Sequence, residues 1–229
     1  MTPSRTTISK EELGALEAEE LQLPAFVVDS GTPYAEAKRL CQELSKSKVL
    51  GFDTETKPVF KKGVEPNKVA LLQLSSDRLV VLFRLNTLQD SKALKPLQKL
   101  LRDKSILKVG VGIKDDVAEL AKDTELVTLQ VLDLRKLSSA AEIEVLSLSK
   151  LYAVLYGKRL SKGQRTSNWE NETLTEAQVE YAALDAVAGY RIYQGLREFE
   201  TPEMAVLDVH KTPKKKVKKK VLWCTRSRK

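Results

Sequence analysis

One histidine, His210, is present among 229 residues. That scarcity excludes a Ser-His-Asp triad, a Cys-His dyad, a histidine-rich zinc site and an HExxH protease, all of which need imidazole. Cysteine is nearly as rare. Cys41 and Cys224 lie far apart without metal-ligand spacing, which excludes a disulfide framework and fits a reducing compartment. No apolar run approaches the roughly 18 residues of a membrane span. The first 24 residues are acidic (Glu11, Glu12, Glu17, Glu19, Glu20) and lack an apolar h-region, so they do not read as a secretory signal. What survives these exclusions is chemistry done by carboxylates and metal.

Acidic residues are missing altogether from 211–229, which hold ten of the 39 Lys and Arg. The net charge of +8 is therefore a property of the tail, because residues 1–210 carry 29 basic against 31 acidic groups. Phosphate affinity in the body must come from local placement or from bound metal. The run Pro213-Lys-Lys-Lys-Val-Lys-Lys-Lys220 has the form of a nuclear localisation signal, which points to the nucleus, and would equally add nonspecific affinity for nucleic acid. Residues 1–24 read as a loose or weakly helical extension, 25–205 as one folded domain, and 206–229 as a basic, disordered tail.

Within the domain, Phe26–Val28 reads as a strand, and Thr32-Pro33 as the N-cap and first residue of a helix that buries Ala37, Leu40, Cys41 and Leu44. Val69–Leu74 and Leu79–Leu85 form a hairpin. Helix and strand then alternate: a helix through Leu94–Leu101, a strand at Ile106–Val111, a helix at Asp115–Lys122 and a strand at Val127–Leu132. Two helices follow, Leu148–Tyr156 closed by Gly157, and Glu176 to about Glu198, opened by the capping box Thr175-x-x-Gln178. The pattern is α/β, a mixed sheet covered by helices.

The chemistry concentrates at three places. Asp53 and Glu55 follow the apolar run Val49–Phe52, and residues two apart on a strand share a face. Alone, the pair suits a solvated acidic turn; buried side by side, it suits a divalent cation. Asp115 and Asp116 stand where a glycine-permitted turn, Gly110-Val-Gly112, opens a helix. Asp115 fits the N-cap, which leaves Asp116 free. Tyr181 and Asp185 lie one turn apart on a helix whose flanking residues, Ala182 to Ala188, are small and apolar, so Asp185 is a buried acid that needs a partner.

In order, Phe52-Asp-Thr-Glu55, Gly112-Ile-Lys-Asp-Asp116 and Tyr181-Ala-Ala-Leu-Asp185 resemble the three motifs of the DEDD superfamily of 3′–5′ exonucleases (DnaQ-like) in its tyrosine-bearing (DEDDy) branch. The histidine branch has His five residues before the last Asp, where this chain has Glu180. Leu146-Ser-Leu-x-x-Leu151, Gly157-Lys158, Ser167-Asn168-Trp169 and Leu174-Thr175 are similar to the Werner-syndrome-type exonuclease domain rather than to bacterial ribonuclease D. The resemblance spans Phe26 to Glu198. It implies a ribonuclease-H-like fold with flexible termini and hydrolysis from the 3′ end of DNA or RNA, releasing nucleoside 5′-monophosphates. Two divalent ions, Mg²⁺ or Mn²⁺, would be held by Asp53, Glu55, Asp116 and Asp185. Asp53 would bridge both, Glu55 and Asp185 would complete one site, and Asp116 would hold the other through water. Tyr181 would orient the attacking water.

Substrate contacts are expected from Thr54 and Thr56 beside the acids, from Gln73 on the adjacent strand, and from a basic loop with Lys158, Arg159, Lys162 and Arg165. Trp169 either stacks on a base or belongs to the core. Many relatives carry an aromatic residue after the Asp-x-Glu; here Thr56 and Lys57 stand there. A nucleic-acid-binding adaptor that keeps the fold without catalysis is the competing reading.

Overall fold

The computed structural model describes residues 5–61, 63–89, 91–201 and Met204. The basic run 213–220, His210, Trp223 and Cys224 fall outside the described residues. Six strands, β1 (Ala25–Val28), β2 (Val49–Thr56), β3 (Val69–Ser75), β4 (Val80–Arg84), β5 (Leu107–Gly110) and β6 (Val131–Asp133), form one sheet in the order β1-β4-β3-β2-β5-β6. β3 runs antiparallel to both its neighbours, and the remaining pairs are parallel. Among the described residues seven α-helices surround it: α1 (Lys10–Ala15), α2 (Tyr34–Leu44), α3 (Leu94–Arg102), α4 (Ile113–Asp123), α5 (Leu134–Ala140), α6 (Leu148–Tyr156) and α7 (Glu176–Leu196). This is the mixed sheet flanked by helices that the alternating pattern implies.

The two faces of β2 go to different partners. Leu50 and Phe52 join the apolar cluster formed with α2, α3 and α4. The alternate residues Gly51, Asp53 and Glu55 turn toward α7. α7 itself packs against five of the six strands. Its apolar circumference explains that position, since Ala182, Ala183, Ala186 and Ala188 are all fully buried.

The closest approach is made by glycine. A Cβ on Gly51 would stand 2.0 Å from the carbonyl oxygen of Ala186 and 2.9 Å from the amide nitrogen of Tyr190. Both are backbone atoms of α7, and neither can give way without moving the helix. A Cβ on Gly189 would approach Val109 O at 3.3 Å, a far milder crowding than that at Gly51. Gly51 thus sets how near α7 lies to the sheet.

Several local expectations change. The N-terminal segment is not loose from residue 5 onward. Ser9 and Glu12 form a capping box for α1, and Ile8 and Leu13 are buried in the cluster built by α5, α6 and α7. Arg159 N–H donates to Glu17 O, Glu19 N–H donates to Arg159 O, and Arg159 Nε donates to Leu16 O, each at 2.9 Å. Apolar residues spaced too sparsely to show a helical period are what dock it. Thr32 does not cap α2; its hydroxyl accepts from Asp29 N–H and donates to Asp29 Oδ1, closing a turn before Pro33. α5, which the pattern did not suggest, starts from Asp133, whose carboxylate accepts from Arg135 N–H.

Gly51→Ala should lower stability in urea unfolding by about 3 kcal/mol or more, the upper range for overpacking against atoms that cannot move. Gly189→Ala should change it by less than about 1 kcal/mol, because helix propensity gains roughly that much from alanine and offsets the tighter contact.

Candidate active site

Three carboxylates meet where α7 crosses β2. Asp53 and Glu55 point to one face of the strand, and Asp185 precedes Ala186, the residue lying on Gly51. One oxygen from each of the three lies within 4.8 Å of the others. The cleft they share measures about 180 Å³ and is completed by Phe52, Gly110, Val111, Leu148, Tyr181 and Gly189. Val111, Leu148 and Gly189 were not anticipated, since apolar residues and a helical glycine carry no chemical signal in sequence. A larger depression of about 440 Å³ lies between α2 and α3 on the other face of the sheet, but it gathers lysines and a single aspartate instead of a carboxylate cluster.

Asp116 comes from the opposite side of β2. α4 opens at Gly112, whose φ of 76° suits glycine and whose amide donates to Asp133 Oδ1 at 3.1 Å. Asp115 is therefore not the N-cap; it is exposed in the first turn. Asp116 accepts a 2.6 Å hydrogen bond from Thr54 Oγ1. Thr54 sits between the two acids in sequence, so its side chain faces α4 while theirs face α7. Its hydroxyl is committed to Asp116 instead of standing free for a nucleotide. Asp116 is close enough to repel Asp53 and Glu55 yet lies outside the three-carboxylate cluster.

Tyr181 and Asp185 occupy one face of α7, as their spacing requires, and the Tyr181 phenol lies near enough to the Asp185 carboxylate to favour its charged form. Trp169 is fully buried, with its ring 6.0 Å from that of Tyr181. It backs the tyrosine from within the core and presents no face for a base. Gln73 lies directly opposite Asp53 in the β2–β3 register. It is fully buried, and neither end of its amide finds a partner among the described residues. Thr56 ends β2, half-buried, just past a slip in register after Glu55. Lys158 pairs with Glu17 at 3.4 Å and Arg159 binds the N-terminal segment, so neither is free; Lys162 and Arg165 are exposed, with no ion pair among the described residues.

A family profile described as 3′–5′ exonuclease matches residues 30–199. The chain belongs to the 3′–5′ exonuclease family. It is 41% identical over 164 residues to exonuclease 3′–5′ domain-containing protein 2 of Drosophila melanogaster, covering 70% of this chain and 27% of that protein. It is 39% identical over 165 residues to the bifunctional 3′–5′ exonuclease/ATP-dependent helicase WRN of Mus musculus, covering 69% of this chain and 11% of that one. The chain thus spans about a quarter and about a tenth of those relatives. Among solved structures, the EXO domain of Aedes aegypti Nibbler superposes with a TM-score of 0.66 at 24% identity, covering 80% of this chain and 92% of that one. Trypanosoma brucei RNase D in complex with RNA U12 gives 0.67 at 22%, covering 90% and 70%. These show the shared fold.

Within this exonuclease fold the acids are electrostatically costly. Burial raises the Asp53 carboxyl well above the usual range, and the charges of Asp185, Asp116 and Glu55 add to it. Burial, then Asp185 and Asp116, pushes Glu55 up to about 8. Asp185 is pushed up to about 7 by burial, against the nearby Tyr181 phenol. Burial also raises Asp116, opposed by the Thr54 hydroxyl. The Tyr181 phenol rises above its ordinary value through burial and the charges of Asp185 and Glu55.

Folded values above unfolded ones mean that the native state binds more protons than the unfolded chain between about pH 4 and pH 8. Stability of the metal-free protein must fall as pH rises through that window. The melting temperature in EDTA should be lower at about pH 8 than at about pH 5.5, and saturating Mg²⁺ should raise it more at the higher pH. Equal melting temperatures in EDTA at both pH values would contradict this electrostatic account.

Proposed function

We propose that this chain is a metal-dependent exonuclease that removes nucleotides from the 3′ end of DNA or RNA and releases nucleoside 5′-monophosphates. The observation that carries the reading is the trio Asp53, Glu55 and Asp185, one oxygen from each within 4.8 Å in a small cleft. Like charges so disposed are unfavourable unless protonated or bound to a cation, and hard divalent ions take carboxylate oxygens. The orphaned amide of buried Gln73 beside Asp53 fits a site whose polar complement is completed by metal and its waters. Mg²⁺ or Mn²⁺ suits this all-oxygen donor set.

Asp53, Glu55 and Asp185 would hold one ion, with Asp53 shared and Asp116 serving the second. Bound there, the two ions would lower the pKa of water and offset the charge developing on the phosphate. The chain's own residues do the rest. Tyr181 positions the attacking water through the hydroxyl that otherwise rests on Asp185; its raised pKa disqualifies it as a base at neutral pH. Thr54 holds Asp116 in place. Val111 and Leu148 give the terminal nucleotide an apolar wall, and Lys162 and Arg165 offer charges to the phosphates. The basic run 213–220 supports a nuclear location. A non-catalytic adaptor is supported less well, because it has no use for a clustered acid trio with a tyrosine beside it.

Incubation of 5′-labelled single-stranded DNA, RNA and a recessed duplex with Mg²⁺ or Mn²⁺ should give ladders shortening from the 3′ end. Asp53→Ala should abolish them; ladders of wild-type intensity in that variant, or none from the wild type on any substrate, would sink the reading. Tyr181→Phe should reduce turnover on the order of 10²-fold, the scale of a lost positioning group in proton transfer. Metal binding by calorimetry should persist in that variant.

A further inference from the structure

Phe60 is the most exposed large apolar side chain among the described residues, with 83% of its surface open to water. It stands five residues after Glu55, on the loop joining β2 to β3. The base of this loop is pinned. Lys57 Nζ pairs with Glu170 at 3.2 Å, Asn67 Nδ2 donates to the Lys57 carbonyl at 2.9 Å, and Val69 N–H donates to Asp123 Oδ2 at 2.9 Å. Lys61 and Lys68, on the same loop, are exposed and have no ion-pair partner among the described residues.

One exposed apolar side chain is ordinary on a protein surface. Three facts set this one apart: the extent of its exposure, the unpaired cations that follow it on the same loop, and the pinned base of that loop, which leaves directly from the strand carrying Asp53 and Glu55. Five residues of chain place it within about 17 Å of Glu55 at full extension. The other exposed aromatic side chains among the described residues are elsewhere or engaged. Tyr34 lies on α2 across the sheet, and the Tyr156 hydroxyl donates to Arg191 O. Trp169 is sealed in the core. An aromatic face interleaved with lysines matches single-stranded nucleic acid, whose bases stack while its phosphates take the charges.

We infer that Phe60 is a base-stacking subsite. Its ring takes the face of a nucleobase in the single-stranded segment upstream of the 3′ end, and Lys61 and Lys68 take neighbouring phosphates. The inference rests on the exonuclease reading above. Because the base of the loop is anchored before binding, the stack forms at a smaller ordering cost than on a free segment.

The test uses the full chain in EDTA, so that no cleavage intervenes. The probes are single-stranded oligonucleotides with 2-aminopurine placed at successive positions from the 3′ end. Wild type should quench the fluorophore at one internal position. Phe60→Ala should lose that quenching and bind about tenfold more weakly, within the range for one stacked base. Phe60→Trp should restore both, which a merely structural role would not do, and all three should melt alike because the side chain is exposed. Wild-type quenching and affinity in Phe60→Ala, or failure of Phe60→Trp to restore them, overturns the subsite. The exonuclease reading is judged separately, by laddering of the same strand by the wild type once Mg²⁺ or Mn²⁺ is added.

Discussion

The contact of α7 with β2 at Gly51 brings a helix and a strand to backbone distance, closer than any side chain allows. Everything chemical in the domain follows from that approach. Asp53 and Glu55 leave the strand beyond Gly51 on the same face, and Asp185 leaves the helix beside Ala186, the residue resting on the glycine. Had β2 carried alanine there, the helix would stand off and the acids would relax apart. The repulsion between them is stored in the fold and supported by the apolar packing of Ala182, Ala183, Ala186 and Val187 around it.

In the proposed function, that arrangement would give up stability in the metal-free chain to gain affinity for a cation. The raised carboxyl values of Asp53, Glu55 and Asp185 share one leading cause, burial, and a divalent ion bound there would reverse all of them at once. The near-neutral charge of residues 1–210 belongs to the same logic. No cation is among the groups acting on Asp53, Glu55 or Asp185, so in the proposed reaction the positive charge that meets the phosphate would arrive with the metal.

Much of this was legible in sequence because it rests on short periodicities. The two-residue spacing of Asp53 and Glu55 places them on one strand face, the four-residue spacing of Tyr181 and Asp185 places them on one helix face, and Thr175 with Gln178 marks where that helix begins. Alternation of helix and strand gave the layered sheet. What escaped depends on distance across the fold. Thr54 lies between two acids yet serves a third from the far side of the sheet. Trp169 in a polar, basic segment is indistinguishable from a surface aromatic until the core closes over it. Lys158 and Arg159 look like free charges because their partners, Glu17 and Leu16, are about 140 residues away. The docking of residues 5–24 depends on Ile8 and Leu13, too few to form a pattern.

α7 is held at both ends. At its start, the Gln178 side chain accepts from Thr175 N–H and donates to Ser167 Oγ and Asn168 O. Toward its end, Arg191 NH1 donates to the Tyr152 hydroxyl at 2.7 Å and pairs with Glu19 at 3.3 Å, and Tyr152 donates to the same carboxylate. Asp185 lies between these two anchorages, like a cam on a shaft carried by two bearings. A helix turns about 100° per residue, so even a fraction of a one-residue roll would swing Asp185 out of the cluster. The bearings fix its azimuth, and the glycine beneath fixes only its height.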